Sequence, residues 1–171
     1  MENFSGISEP RSKGMDEVIV RSANLDDLDL LLSFEQAIIE TERPFDETLR
    51  TGSDVHYYDL SELIASTEAE VVVAEIDSRV VGSGYARIAA SKQYVKHAKH
   101  SYLGFMYTVP GHRGKGINRR IVETLEAWSR SKGVTEMRLE VYAANVAAVR
   151  AYEKAEYSGL ILLMRKDLGE N

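Results

Sequence analysis

The sequence predicts a mixed α/β fold, and three observations carry that expectation. Apolar residues recur at helical spacing in two separate stretches, Leu28-Leu31-Leu32-Ile38 and Ile117-Ile121-Leu125-Trp128. Between them, two apolar runs, Val71 to Ile76 and Val80 to Ile88, are joined by Asp77-Ser78, the pattern of a strand hairpin. A further strand-like run, Tyr102 to Val109, stops at Pro110 and leads through a loop of glycines and cations into the second helix.

Taken in order, residues 1–14 carry Ser, Gly, Pro and charges and read as a flexible tail, leaving 15–171 as a single domain. Glu17 to Arg21 alternates as a first strand. A helix opens at Asn24 or Leu25-Asp26 and is broken by Pro44. Residues 45–57 are polar and irregular, and a short helix follows at about Leu60 to Ala65. After the hairpin, Ser91 to His100 reads as a solvated basic loop. The helix from about Ile117 has its stop at Gly133. Met137, Leu139 and Val141 alternate as a strand, and Asn145 precedes a last helix with Ala148, Val149 and Tyr152. Leu160 to Arg165 reads as a final strand. There is no internal repeat and no low-complexity tract.

Composition narrows the classes of function. A chain of 171 residues that is 44% hydrophobic can bury a sizeable core. No run approaches the roughly 18 apolar residues of a membrane span, and the N-terminus lacks the pattern of a signal peptide. Zero cysteines remove disulfides, thiolate ligands and a Cys nucleophile, and four scattered His show no zinc-site spacing. The expectation is a cytoplasmic protein without a metal and without a membrane partner. A net charge of −6 suits a neutral or cationic substrate and argues against nucleic acid as a partner, despite the local cluster Arg113, Lys115, Arg119, Arg120.

The loop before the second long helix carries the most chemistry. The first turn of a helix has N–H groups without intrahelical partners and a partial positive charge, and glycines before it let backbone close around an anion. Only two residues separate Gly111 from Gly114-Lys115, where a Walker loop needs four, and Arg119 stands where the dinucleotide fingerprint needs its third glycine. The arrangement Arg113-x-x-Gly116-x-Asn118 instead resembles the Arg-x-x-Gly-x-(Gly/Ala) pyrophosphate loop of the GCN5-related N-acetyltransferases (GNAT), with Asn118 departing from the pattern. Further on, Asn145-Val-Ala-Ala-Val-Arg-Ala-Tyr-Glu-Lys-Ala-Glu-Tyr157 resembles that family's Asn-x-x-Ala-x-x-x-Tyr-Glu-Lys-x-Gly-Phe signature, with Glu156 and Tyr157 replacing Gly and Phe.

The resemblance implies a central, mostly antiparallel mixed sheet with helices on both faces, in the order β-α-α-β-β-β-α-β-α-β. It implies acetyl-CoA as donor and the primary amine of a small molecule or protein as acceptor, with direct attack in a ternary complex. The pantetheine arm would lie along the backbone of Tyr107, Thr108 and Val109. The pyrophosphate would lie on Arg113, Gly114, Lys115, Gly116, Ile117 and Asn118. Asn145 would contact the arm, and Tyr152 would protonate the departing thiolate. Seven residues separate Asn145 from Tyr152, which puts both on one helix face; Asn145 is equally a good N-cap. Many relatives carry a Glu on the strand just before this segment, but Leu103-Gly104-Phe105-Met106 has no acid. A base would come from the irregular region, among Glu40, Glu42, Asp46, Asp54, His56 and Asp59. Glu42 and Asp46 are the candidates to attract a cationic acceptor. A non-catalytic acyl-CoA-binding module is the alternative reading, and the sequence allows a homodimer without fixing one.

Overall fold

The computed structural model describes residues 17–169, so the tail expected at 1–14 lies outside the described residues. Five strands form one sheet in sequence order: β1 (Ile19–Ser22), β2 (Ala69–Ile76), β3 (Arg79–Ala90), β4 (Lys99–Thr108) and β5 (Met137–Arg138). The first three pairings are antiparallel and the last, β4 with β5, is parallel. Four α-helices accompany it: α1 (Leu28–Glu42), α2 (Leu60–Ala65), α3 (Ile117–Ser131) and α4 (Val146–Lys154).

Period-two alternation divides the core between two faces. Val71 and Val73 pack with Leu31 and Phe34 of α1 and Leu60 of α2. Val72 and Ala74, one residue out of phase, pack with Ile117, Ile121 and Leu125 of α3. On the second face Gly84 makes room for the helix: a Cβ there would come within 2.7 Å of Ile121 Cγ2 and 2.6 Å of Met106 Sδ. The hairpin expected at Asp77-Ser78 is a two-residue turn with φ of 50° and 61°, the handedness that matches strand twist.

The first helix begins later than the sequence suggests. Asn24 caps a 3-10 turn, Leu25–Asp27, because the Asp27 carboxylate accepts from the Asn24 N–H at 2.9 Å and from Arg21 at 2.8 and 2.9 Å. Its far end runs into a second 3-10 turn, Arg43–Phe45, at the proline. The basic loop is shorter than expected, since Lys99 and His100 already belong to β4.

Two strand expectations need correction. The alternation Met137-Leu139-Val141 forms ladder pairs only at Ser101–Met137 and Tyr102–Arg138; beyond them β5 parts from β4. Three residues past the last of these pairs, β4 carries an inserted residue. Phe105 has φ of 56°, the β3–β4 register shifts between Ser83 and Tyr85, and the bulge bends the strand. As a result Leu103 packs with α3 while Phe105, two residues on, packs with α1. The final strand expected at Leu160 to Arg165 does not form: among the described residues no backbone hydrogen bond joins it to the sheet. A strand needs a neighbour, and in one chain this segment has none.

Candidate active site

Past Tyr102 the β5-facing edge of β4 is unpaired, which leaves a cleft between the two strands. Near the end of β4 the Tyr107 ring lies 4.7 Å from that of Phe34. The Val109 N–H is committed to Val81 O at 2.9 Å, and the Thr108 carbonyl accepts from Arg113 Nε at 3.2 Å. Arg113 thus folds back on the strand and steadies the loop.

The cradle is built as a helix entry. A 3-10 turn, Pro110–His112, follows the strand. Gly114 and Gly116 both have φ of 77°, a conformation that disfavours side chains, and a Cβ at either would meet nothing within 4 Å. Gly116 is the N-cap of α3 and supplies no side-chain cap, and the first turn contains no acidic residue. Its free N–H groups therefore face open space. Ile117 is buried in the core and anchors the turn, and Lys115 is exposed. This open, cationic helix terminus fits a diphosphate.

α4 places the other two residues. The Asn145 side chain accepts from Ala148 N at 3.2 Å, so it is the N-cap. Tyr152 packs on the α3-side core with its ring 5.9 Å from Tyr157. Burial, and then the charge of Glu42, push its hydroxyl up to about 12.

Tyr152 is not alone in feeling Glu42. The Glu42 charge also contributes to raising Tyr57, Tyr58, Tyr102 and Tyr142, each of them elevated first by burial. The rings of Tyr57, Tyr58, Tyr85 and Tyr102 follow one another at 5.9, 5.2 and 6.5 Å and form a tyrosine wall, and the half-buried Glu42 ends α1. Burial raises its own carboxyl, partly offset by Tyr57. The Tyr57 hydroxyl is buried near it without a well-formed hydrogen bond. Four other acids of this region are engaged. Glu40 pairs with Arg43 and Asp54 with Arg50, each at 2.8 Å. Asp59 caps α2. Asp46 accepts from Thr48 and from Arg165, which hold it down at about 2. Asp46 is thus occupied in an ion pair, while Glu42, the other candidate, forms none among the described residues.

One residue central to this wall escapes the sequence reading. Glu35 is fully buried on α1, and its carboxylate accepts from Tyr57 N at 2.7 Å and Tyr58 N at 2.9 Å and meets His56 Nδ1 at 2.6 Å. Its spacing between Leu31 and Ile39 puts it on the apolar helix face, a signal that it needs internal partners. It fixes the backbone that presents Tyr57 and Tyr58, and the Tyr58 hydroxyl accepts from the bulge N–H of Phe105 at 3.3 Å. An open hollow of about 570 Å³ lies beside the same segment, lined by Leu28, Leu32 and residues 56–61, and no cradle residue lines it.

The model of the Acetyltransferase (GNAT) family matches residues 35–157, and the chain belongs to that family. Among curated proteins it is similar to an aminoglycoside N(6')-acetyltransferase type 1 of Stenotrophomonas maltophilia, 28% identical over 98 residues. That alignment covers 55% of this chain and 63% of the relative, so the chain spans less than two thirds of the relative's length. Solved structures agree on the fold. A tetramutant of a Bacillus halodurans protein superposes with a TM-score of 0.77 at 18% identity, covering 88% of this chain and 99% of the other. A predicted acetyltransferase of Clostridium acetobutylicum, solved with acetyl-CoA, gives 0.63 at 17% identity, covering 89% and 97%.

Proposed function

We propose that this chain transfers the acetyl group of acetyl-CoA to a primary amine of a small cationic molecule, by direct attack in a ternary complex. The observation that supports the reading is the open, uncapped entry of α3 at Gly114 to Gly116 beside the free edge of β4, with the half-buried Glu42, which forms no ion pair among the described residues, as the candidate acid. Acid and aromatic walls favour a cation. The curated relative is named for aminoglycosides, which are polyamines of this kind.

Acetyl-CoA would be held by the first turn of α3 at Gly114 to Asn118 and by the free edge of β4 near Tyr107 and Thr108, with Asn145 at the mouth of α4. The amine lone pair forms the N–C bond at the thioester carbonyl, and the C–S bond breaks. The nitrogen sheds two protons in all, one when the ammonium is neutralised before attack and one after the N–C bond forms, each passing through Glu42 to solvent, directly or through water; the sulfur takes one from Tyr152, which is reprotonated from solvent. At pH 7 an ordinary alkylamine is about 3.4 pH units below its pKa, so neutralising it costs about 4.6 kcal/mol. That is the work assigned to Glu42. Tyr152, at about 12, is some 3.5 units above a thiol of about 8.5. It stabilises the departing sulfur mainly by hydrogen bonding, with full transfer late. A panel of aminoglycosides, polyamines and lysine peptides, read by thiol release and product mass, tests the proposal. Turnover is expected with polycationic small molecules. Binding of acetyl-CoA with no thiol release from any amine would leave a binding module in place of an enzyme.

A further inference from the structure

On the proposed seating of the acetyl-CoA arm along the free edge of β4, we infer that the hydroxyls of Tyr58 and Ser83 are positioning groups for acetyl transfer. Together they clamp the inserted residue of β4, Phe105, and so set where that edge stands. A bulge residue drops out of the ladder, so its backbone N–H and carbonyl lose their strand partners. Phe105 is 1% exposed, and groups buried this deeply need partners from elsewhere. Two side chains supply them. The Phe105 N–H donates to the Tyr58 hydroxyl, and the Phe105 carbonyl accepts from the Ser83 hydroxyl, each at 3.3 Å. Ser83 is fully buried on β3 and pairs with Tyr107 in the register.

Tyr58 is itself held at both ends. One oxygen of Glu35, Oε1, accepts from the Tyr57 N–H at 2.7 Å and the Tyr58 N–H at 2.9 Å. The Tyr58 ring stands edge-on to Tyr85 at 5.2 Å and to Phe105 at 5.7 Å. Gly104 makes room for this stack, since a Cβ there would lie 2.8 Å from Tyr85 Cζ. The clamp has strain to hold: Phe105 sits at φ of 56°, a conformation that an aromatic residue rarely adopts. Past it the strand runs straight on through Met106, Tyr107 and Thr108 to the Pro110 turn. A bulge that relaxes shifts these residues, and a misplacement of about 1 Å can cost about 10²-fold in rate.

Thiol release with the best amine of the panel, calorimetry with acetyl-CoA and amide exchange by NMR, all on the full chain, make the test. Tyr58→Phe keeps the ring on its neighbours and Ser83→Ala removes one oxygen, so both should keep their far-UV circular dichroism. Each should lower kcat by about 10- to 100-fold, while acetyl-CoA affinity stays within about twofold because the cradle at Gly114 to Asn118 is untouched. Exchange of the Phe105 amide should quicken in both; in S83A that change crosses the bulge from the carbonyl to the N–H. The double variant Y58F/S83A should fall little below the poorer single, since a clamp opened at either jaw is already open. Burial raises the Tyr58 hydroxyl, so it stays protonated, and the pH profile of Y58F should run parallel to that of the wild type. An active wild type whose Y58F and S83A variants keep kcat within about twofold overturns the inference and leaves the proposed function standing. Losses that multiply in the double variant, a Phe105 amide unmoved in S83A, or a Y58F profile that loses a limb each overturn it too. A wild type that releases no thiol from any amine refutes the proposed function, and the positioning role falls with it.

Discussion

Replacing Glu42 by glutamine removes a charge and keeps the shape, which isolates the proton-accepting role. The amine must lose about 4.6 kcal/mol worth of protonation at pH 7, and a positioned base typically contributes about 10²- to 10⁴-fold. The Glu42 carboxyl is raised by burial, which brings it closer to the amine than a solvated acid would be. We expect kcat/KM for a cationic amine to fall about 10²-fold at pH 7, equivalent to about 2.7 kcal/mol. The pH profile is the sharper readout. The wild type should level off once Glu42 is ionised, whereas E42Q should climb about tenfold per pH unit toward the amine pKa of about 10.4, so the gap closes with pH. Stability should move the other way. A carboxyl whose folded pKa lies above its unfolded value contributes stability below the unfolded pKa and loses it as pH rises through the folded pKa. Ionised Glu42 is therefore a cost to the fold at neutral pH, and E42Q should melt no lower than the wild type. Thiol release at saturating acetyl-CoA and a thermal melt make the comparison. Parallel pH profiles with kcat/KM within about twofold would refute the assignment.

Three other outcomes follow from the geometry. In Gly116→Val a β-branched residue enters a position with φ of 77° beside the free N–H groups of α3; calorimetry should show acetyl-CoA affinity down by about tenfold or more. Tyr152→Phe should lower kcat by about 10- to 100-fold, near the low end for a general acid because the hydroxyl lies at about 12, while KM for acetyl-CoA holds. Asp27→Asn removes the carboxylate that Arg21 holds below its ordinary 3.8. Stability from such a lowered group is present above the unfolded pKa and lost as pH falls through the folded one, so urea unfolding at pH 7 should show a loss of about 1–2 kcal/mol that narrows in acid.

Much of the fold is written locally. The two-face division of β2 follows from Val71 to Ala74 alone, and α3 is bounded by Gly116 and Gly133, both in the left-handed region that ends or begins helices. What escapes is set by distant partners. Nothing in Leu-Gly-Phe-Met-Tyr marks Phe105 as the inserted residue, because a bulge is defined against the register of β3. Leu160 to Arg165 has the composition of a strand, but composition does not supply the neighbour a strand requires. Glu42 and Asp46 look alike in sequence; Arg165, 119 positions from Asp46, occupies one and leaves the other. Glu35 is legible only as an oddity on an apolar face until its three donors, 21 to 23 positions later, are seen.

Because Glu35 sets the stance of Tyr57 and Tyr58 from α1, with Gln36 holding the Val55 carbonyl at 2.8 Å, the positions from 47 to 54 are released from that task. Changes of length or charge in that stretch would redraw the rim of the cleft while its tyrosine wall stays put. Acceptor preference can then drift over evolutionary time by rewriting a few surface residues, with the acyl-transfer chemistry and the folding core both left untouched.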